Sequence, residues 1–204
     1  SRAPYRSVMR SMTTANSDTG RCTGTLVGPD LVLTAQHCIL RAFDLVSERI
    51  TGRIVAEAMA RGVFYAGSLN VVQVVARGAW TAEARPSSGD WVVLRVASTR
   101  FARYGVLEVR DEILDDHDLL SADLQVPGFG ASSLLEERIL SVGEPGSARR
   151  VFASGSFHHD CDTTRGSSGA PVLRCAADGL CRIVGISVGG FRHGSDTSLV
   201  VLAG

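Results

Sequence analysis

Short runs rich in Val, Ile, Thr and Leu, each closed by Gly, Pro, Asp or Ser, constrain this chain more than any other feature. Such runs fit strands a few residues long and leave no room for long helices. The 22 glycines supply the turns between them, so the expected class is all-β. Strands are expected at Thr23–Val27, Leu31–Thr34, Ile50–Ala60, Ser68–Ala76 and Trp91–Val96. They resume at Leu124–Pro127, Arg138–Val142, Arg149–Ser154, Ala170–Arg174, Arg182–Val188 and Thr197–Leu202. Residues 1–20 are polar and read as a non-strand start, with Thr13–Asp18 as an exposed loop. The charged stretch 97–120 reads as a surface crossing with a helical turn, outside the core. Two β units of about 100 residues follow: 1–100, with 101–120 as the crossing segment, and 121–204.

At 204 residues and 45% hydrophobic content the chain can bury sizeable cores. Its formal net charge is zero, which gives no general attraction to nucleic acid or an acidic membrane. All 21 basic residues are arginine, a bias that composition alone explains. No apolar run approaches the roughly 18 residues of a membrane span. Ser1-Arg2-Ala3-Pro4-Tyr5 lacks the apolar core of a signal peptide, so the chain reads as already processed. Five cysteines favour an oxidising compartment, and the expected location is secreted or periplasmic.

The chemistry is concentrated in three segments. Gly166-Ser167-Ser168-Gly169-Ala170-Pro171 places one hydroxyl, Ser168, inside a backbone flexible enough to surround it with N–H donors. A serine hydroxyl needs a base and a group that orients the base. Thr34-Ala35-Gln36-His37-Cys38 offers His37, placed after an apolar strand and before a cysteine. Ser88-Gly89-Asp90-Trp91-Val92-Val93-Leu94 offers Asp90 at the mouth of an apolar strand. His, Asp, Ser is a known chain order for a catalytic triad. Asp30, in a turn after Gly28-Pro29, and Asp44, with no adjoining buried run, are weaker rivals for the aspartate role. His37 and Asp90 fall in the first β unit and Ser168 in the second, which puts the reaction in the cleft between them. The N–H groups of Gly166 and Ser168 could form an oxyanion hole. Cys22 and Cys38 could close a loop of about 15 residues, worth about 3 kcal/mol, and fix the backbone that carries His37.

These residues resemble the trypsin-like serine peptidases of the chymotrypsin-fold superfamily, over nearly the whole chain. Cys22–Val27 and Leu31–Cys38 resemble the family's histidine region, Asp90–Leu94 its aspartate strand, Pro127-Gly128-Phe129-Gly130 its glycine turn and Gly166–Pro171 its nucleophile loop. The resemblance implies two packed six-stranded antiparallel β-barrels and peptide-bond hydrolysis through an acyl-enzyme, with no cofactor. It also implies a polypeptide substrate and a monomer. Ser167 stands where animal members similar to trypsin carry the aspartate that captures a new N-terminus. The chain therefore looks more like the bacterial branch related to V8-type glutamyl endopeptidases. Gln36 replaces the usual second alanine before the histidine, which is tolerable if its side chain points away. A second reading is a catalytically silent homologue that uses the cleft to bind a partner.

The same resemblance assigns the specificity pocket to Asp162 and Thr163 on one wall and Ser187, Val188, Gly189 and Gly190 on the other. Asp162 stands where a carboxylate would pair with Arg or Lys. Thr163 instead resembles the threonine of glutamyl-specific relatives, but those place a histidine where this chain has Ser187. A basic preference is the expectation. Cys175 and Cys181 could bridge a hairpin, leaving Cys161 unpaired, and Cys161–Cys175 or Cys161–Cys181 is the alternative. His158-His159-Asp160-Cys161 holds metal-ligand residue types, yet neighbours on a strand point to opposite faces, so no metal is expected. These residues are expected to border the specificity pocket, and His117 and His193 to be solvated.

Overall fold

The computed structural model describes residues 4–15, 18–60, 64–80, 89–109, 116–129, 140–152, 155–164, 166–190 and 197–200. Its strands are β1 (Val8–Ala15), β2 (Asp18–Leu26), β3 (Leu31–Thr34), β4 (Phe43–Asp44), β5 (Arg49–Ile50), β6 (Arg53–Ala60), β7 (Phe64–Arg77) and β8 (Val92–Val96). After the crossing come β9 (Leu124–Gln125), β10 (Ala148–Phe152), β11 (Ser156–His159), β12 (Pro171–Cys175), β13 (Cys181–Gly190) and β14 (Thr197–Val200). One short helix, α1 (Asp116–Leu120), precedes β9.

The order β1-β2-β3-β8-β7-β6 closes into a barrel, because β1 pairs with β2 on one side and with β6 on the other. The second sheet runs β10-β11-β14-β13-β12-β9. Leu124 of the edge strand β9 exchanges hydrogen bonds of 2.7 and 2.9 Å with Gly146, two residues before the other edge strand, β10. Closure leaves few unpaired strand edges to be managed by other means.

Each barrel has its own interior. Met9, Leu26, Val32, Ile54, Val92, Leu94 and Val96 fill the first, and Leu124, Phe157, Ala170 and Val172 the second. A third apolar cluster joins Leu33, Ala35 and Cys22 of the first sheet to Leu173, Ile183, Ile186 and Val188 of the second. It explains the poor alternation of the β8 segment. Val92, Leu94 and Val96 face the barrel interior, while Val93 on the opposite face packs into the cluster between the sheets. β12 is likewise covered on both faces, Val172 inside the barrel and Leu173 between the barrels.

Three expectations are corrected. The polar N-terminal segment is the full strand β1, with Ser11 and Thr13 buried. Ser11, Thr13, Thr14 and Arg10 conceal a strand in which the buried Thr13 hydroxyl donates to the Cys38 carbonyl. The crossing segment contributes to the core, because Phe101 is fully buried in the first barrel and Leu119 in the second. Arg138–Val142 forms no strand in its described part: Ser141 makes only a single bridge to Gly128. His193 and residues 201–202 lie outside the described residues, and His117 is exposed on α1.

Candidate active site

The pairing of β3 with β8 fixes the first two members of the site. Thr34 lies opposite Val92, so the residues after β3 and those before β8 emerge at the same end of the barrel. His37 sits in a 3-10 turn, Gln36–Cys38, directly after β3. Asp90 sits two residues before β8. Its Oδ2 is 2.7 Å from His37 Nδ1, and its Oδ1 accepts the His37 backbone N–H at 2.9 Å. Asp90 is 1% exposed, so both oxygens act in a water-poor setting. The His37 side chain keeps 29% of its surface open. That combination lets the carboxylate hold the ring, whose Nε2 lies 3.7 Å from Cys38 Sγ.

The turn is fastened from behind. Cys38 is disulfide-bonded to Cys22 of β2, and its carbonyl accepts the Thr13 hydroxyl of β1 at 3.0 Å. The backbone before Asp90 is pinned where Gly78 crosses Gly89. A Cβ on Gly78 would stand 2.1 Å from the Gly89 carbonyl oxygen, so only glycine fits the crossing.

Ser168 arrives from the second barrel in a loop bounded by Gly166 at φ 101° and Gly169 at φ 80°. Both angles belong to the left-handed region that favours glycine. The loop is docked on β2. The Ser168 carbonyl accepts the Thr23 N–H at 2.8 Å, and the Gly166 carbonyl accepts the Thr23 hydroxyl at 3.0 Å. Thr23 Oγ1 also accepts the Phe129 N–H at 2.9 Å, which ties in the glycine turn of the second barrel. A Cβ on Gly169 would fall 2.2 Å from both the Thr23 carbonyl oxygen and Thr34 Oγ1. The Gly166–Gly169 loop therefore lies against the strands that deliver His37. Within the described residues the N–H groups of Gly166 and Ser168 are donated to no acceptor.

Ser167, at the position of the expected departure, is buried, and its hydroxyl accepts the Thr164 N–H at 3.2 Å. Ser187 is joined to the loop by Gly169 N–H to its carbonyl at 2.6 Å and its own N–H to Ala170 at 2.8 Å. Val188 is buried and Gly189 half-buried beside it, and Gly190 ends β13. On the other wall Asp162 is exposed and Thr163 half-buried. Gly143 backs this wall, since a Cβ there would meet Asp162 Cβ at 2.7 Å.

Other sequence readings resolve as follows. Gln36 does not reach solvent: it is fully buried, and neither side-chain amide atom has a hydrogen-bond partner among the described residues. Cys175 pairs with Cys181, and Cys161 is a free, buried thiol. Burial pushes that thiol up to about 11. The four residues 158–161 diverge. His158 stacks edge-on against Phe152 with centroids 4.8 Å apart, while His159 is buried and its Nδ1 accepts the Cys161 N–H at 3.2 Å. Asp160 accepts the Ser147 N–H at 2.7 Å, which together with the Arg149 ion pair holds its carboxyl below the usual carboxylate range. Cys22, His37 and Cys38 bring their ligand atoms within 4.8 Å of one another, but both sulfurs are committed to the disulfide. Sequence reasoning missed Thr13 and Thr23, whose hydroxyls fasten the site. No motif marks them, because their partners are distant backbone groups.

Residues 22–186 match the model of the trypsin-like peptidase domain. The chain belongs to this family of serine endopeptidases. A comparison with curated protein sequences finds no significant match. Solved structures agree in fold. A Glu endopeptidase in complex with MPD is 20% identical, with a TM-score of 0.73 over 98% of this chain and 86% of that one. A thermostable serine protease from an extremophilic microorganism is 14% identical, with a TM-score of 0.77 over 98% and 93% of the two chains. An inactivated protease paralogue of the scabies mite is 13% identical, with a TM-score of 0.73 over 98% and 90%. The trypsin-like fold thus accommodates both active and inactivated chains, and the chemistry must be argued from the side chains. Among the described residues no helix is long and apolar enough to cross a membrane.

Proposed function

We propose that this trypsin-like peptidase cleaves polypeptides through a triad of Ser168, His37 and Asp90. The observation that carries the reading is the double attachment of His37 to the buried Asp90 carboxylate, through Nδ1 at 2.7 Å and through the backbone N–H at 2.9 Å. Holding Nδ1–H against Asp90 leaves Nε2 as the basic nitrogen. Nε2 takes the Ser168 hydroxyl proton as Oγ attacks the scissile carbonyl carbon. The oxygen of the tetrahedral adduct gains its charge beside the N–H groups of Gly166 and Ser168, which have no competing acceptor among the described residues. His37 then gives the proton to the departing amine, leaving an acyl group on Ser168. Water repeats the sequence to release the acid and restore the hydroxyl. No step calls for a cofactor.

The exposed Asp162 carboxylate, with no cation paired to it among the described residues, favours Arg or Lys at P1. Ser167 in place of aspartate favours the bacterial branch related to glutamyl endopeptidases, without capture of a new N-terminus. The disulfides Cys22–Cys38 and Cys175–Cys181 favour an oxidising compartment, hence a secreted or periplasmic enzyme. A fluorophosphonate probe tests the core of the reading. Stoichiometric labelling at Ser168, abolished in Ser168→Ala with unchanged circular dichroism, is expected. A folded chain that takes no label would instead be a binding module. Fluorogenic peptides differing only at P1 test Asp162, and equal cleavage after Arg and Ala would remove it from specificity.

A further inference from the structure

We propose a second binding site, outside the cleft, for an acidic peptide segment at the hairpin end of β12 and β13. Arg174 and Arg182 are directly opposite partners in that antiparallel pair. Like charges in such a register repel and are unfavourable for the sheet. The next pair along is Cys175 and Cys181, which are disulfide-bonded. The bond fixes the register and so holds the two arginines opposite each other.

They open onto a cavity of about 480 Å³, lined by Arg174, Arg182, Asp118, Leu180, Val184 and the hairpin backbone. Leu180, Arg182 and Val184 alternate along β13 and its turn, so all three face the same side of the sheet. Val184 forms a buried floor and Leu180 is 54% exposed at the rim. Among the described residues the carboxylate neighbours are Asp118, at 3.7 Å from Arg174 Nη1, and Glu108, at 3.3 Å from Arg182 Nε. Neither guanidinium makes a hydrogen bond among the described residues, so the planar N–H forks are available to an incoming carboxylate. Glu108 and Asp118 are themselves well exposed, at 71% and 45%, and ion pairs of that kind are weak enough to be exchanged.

The ligand class follows from the lining. Two adjacent carboxylate receptors with an apolar floor and rim fit an Asp/Glu-rich segment that carries one aliphatic side chain. A free phosphate would use the arginines and leave Leu180 and Val184 without a partner. β12 begins three residues after Ser168, so the site is up to roughly 20 Å along the chain from the nucleophile. It is independent of the triad, and its test needs no turnover.

A fluorescein-labelled Asp-Glu-Leu-Glu-Asp peptide, blocked at both ends, is titrated against the full chain carrying Ser168→Ala, with anisotropy as readout. Saturable binding is expected, weakened about tenfold by each of Arg174→Gln and Arg182→Gln. Glu108→Gln, which removes a competing carboxylate, is expected to tighten it severalfold. The Arg174 and Arg182 side chains are 34% and 49% exposed, so the variants should melt close to the parent. Unchanged affinity in the double variant overturns the site. So does equal binding of an Arg/Lys-rich control peptide, or displacement of the peptide by an equimolar concentration of inorganic phosphate. Loss of binding after fluorophosphonate labelling of the chain with native Ser168 would place the peptide in the cleft instead. Retention there, whatever the turnover, supports the second site.

Discussion

Replacing Thr23 with valine tests whether the two barrels are clasped at the nucleophile loop. Valine matches threonine in shape, so the change opens no cavity and isolates the hydroxyl. That hydroxyl donates to the Gly166 carbonyl at 3.0 Å and accepts from the Phe129 N–H at 2.9 Å. Thr23 and Phe129 are 0% and 2% exposed, so water cannot replace the bond to the Phe129 N–H. Two lost hydrogen bonds at about 1 kcal/mol each, and an orphaned buried donor costing at least about 1 kcal/mol more, give about 3 kcal/mol. In a chain of this size that lowers Tm by roughly 6–12 °C. Thr23→Ser keeps the hydroxyl and loses a methyl, about 1 kcal/mol. The expected gap between the two variants is therefore about 2 kcal/mol in urea denaturation. Freeing the Gly166 carbonyl also lets the Gly166–Ser167 peptide reorient. If the oxyanion donors shift with it, kcat falls up to about 100-fold in Thr23→Val while Thr23→Ser stays near the parent. Equal stability of the two variants, within about 0.5 kcal/mol, would refute the clasp.

Asp90→Asn should lower kcat by about 10⁴-fold with little change in fold, because it releases His37 from the tautomer that leaves Nε2 basic; peptide hydrolysis at neutral pH measures it, and a loss below tenfold counts against the triad. Substituting both Cys22 and Cys38 with alanine should cost about 3 kcal/mol, from a cross-link spanning 16 positions, visible as a lower urea midpoint. Cys161 makes a pH prediction. Its folded thiol is pushed up to about 11 from an ordinary 9.0, so below pH 9 both folded and unfolded thiols are protonated and stability is insensitive. Above pH 9 the unfolded thiol ionises first, so stability declines up to about pH 11, and Cys161→Ala should remove that part of the decline. At pH 8 the native thiol should resist alkylation that goes to completion in denaturant.

The sequence exposes those parts of the site that need a particular residue type at a fixed spacing. Ser168 between glycines, His37 before a cysteine and Asp90 before an apolar strand are of this kind. The strands β3, β8, β12 and β13 were legible for the same reason, since apolar runs bounded by breakers have few alternatives. β1 was not, because Ser11 and Thr13 are polar by composition and yet buried, Thr13 with a partner that only folding supplies, the Cys38 carbonyl. Phe101 was hidden among arginines, although a single large apolar side chain suffices to draw a turn onto the core. Gln36, read from the sequence only as a replacement for alanine that is tolerable if its side chain points away, is fully enclosed. Cysteine pairing was undetermined until the strand register put Cys175 opposite Cys181.

Under the proposed triad, the docking of the loop on β2 makes catalysis and cohesion depend on the same contacts. His37 is held by Asp90, by the disulfide to β2 and by the Thr13 bond to Cys38. Ser168 is held on the same strand β2 through Thr23, one residue from Cys22. His37 and Ser168, the base and nucleophile of the proposed triad, are thus referred to one piece of backbone although they come from different barrels. Separating the barrels enough to relax the apolar cluster between them breaks the Thr23 bonds, and those bonds cannot break without moving Gly166 and Ser168 together. Gly169, with no room for a Cβ between the Thr23 carbonyl and Thr34, shows how closely the loop is pressed there. Substitutions that only loosen the interface between the sheets, at Leu173 or Ile183 for example, should therefore register in kcat before they register as global unfolding.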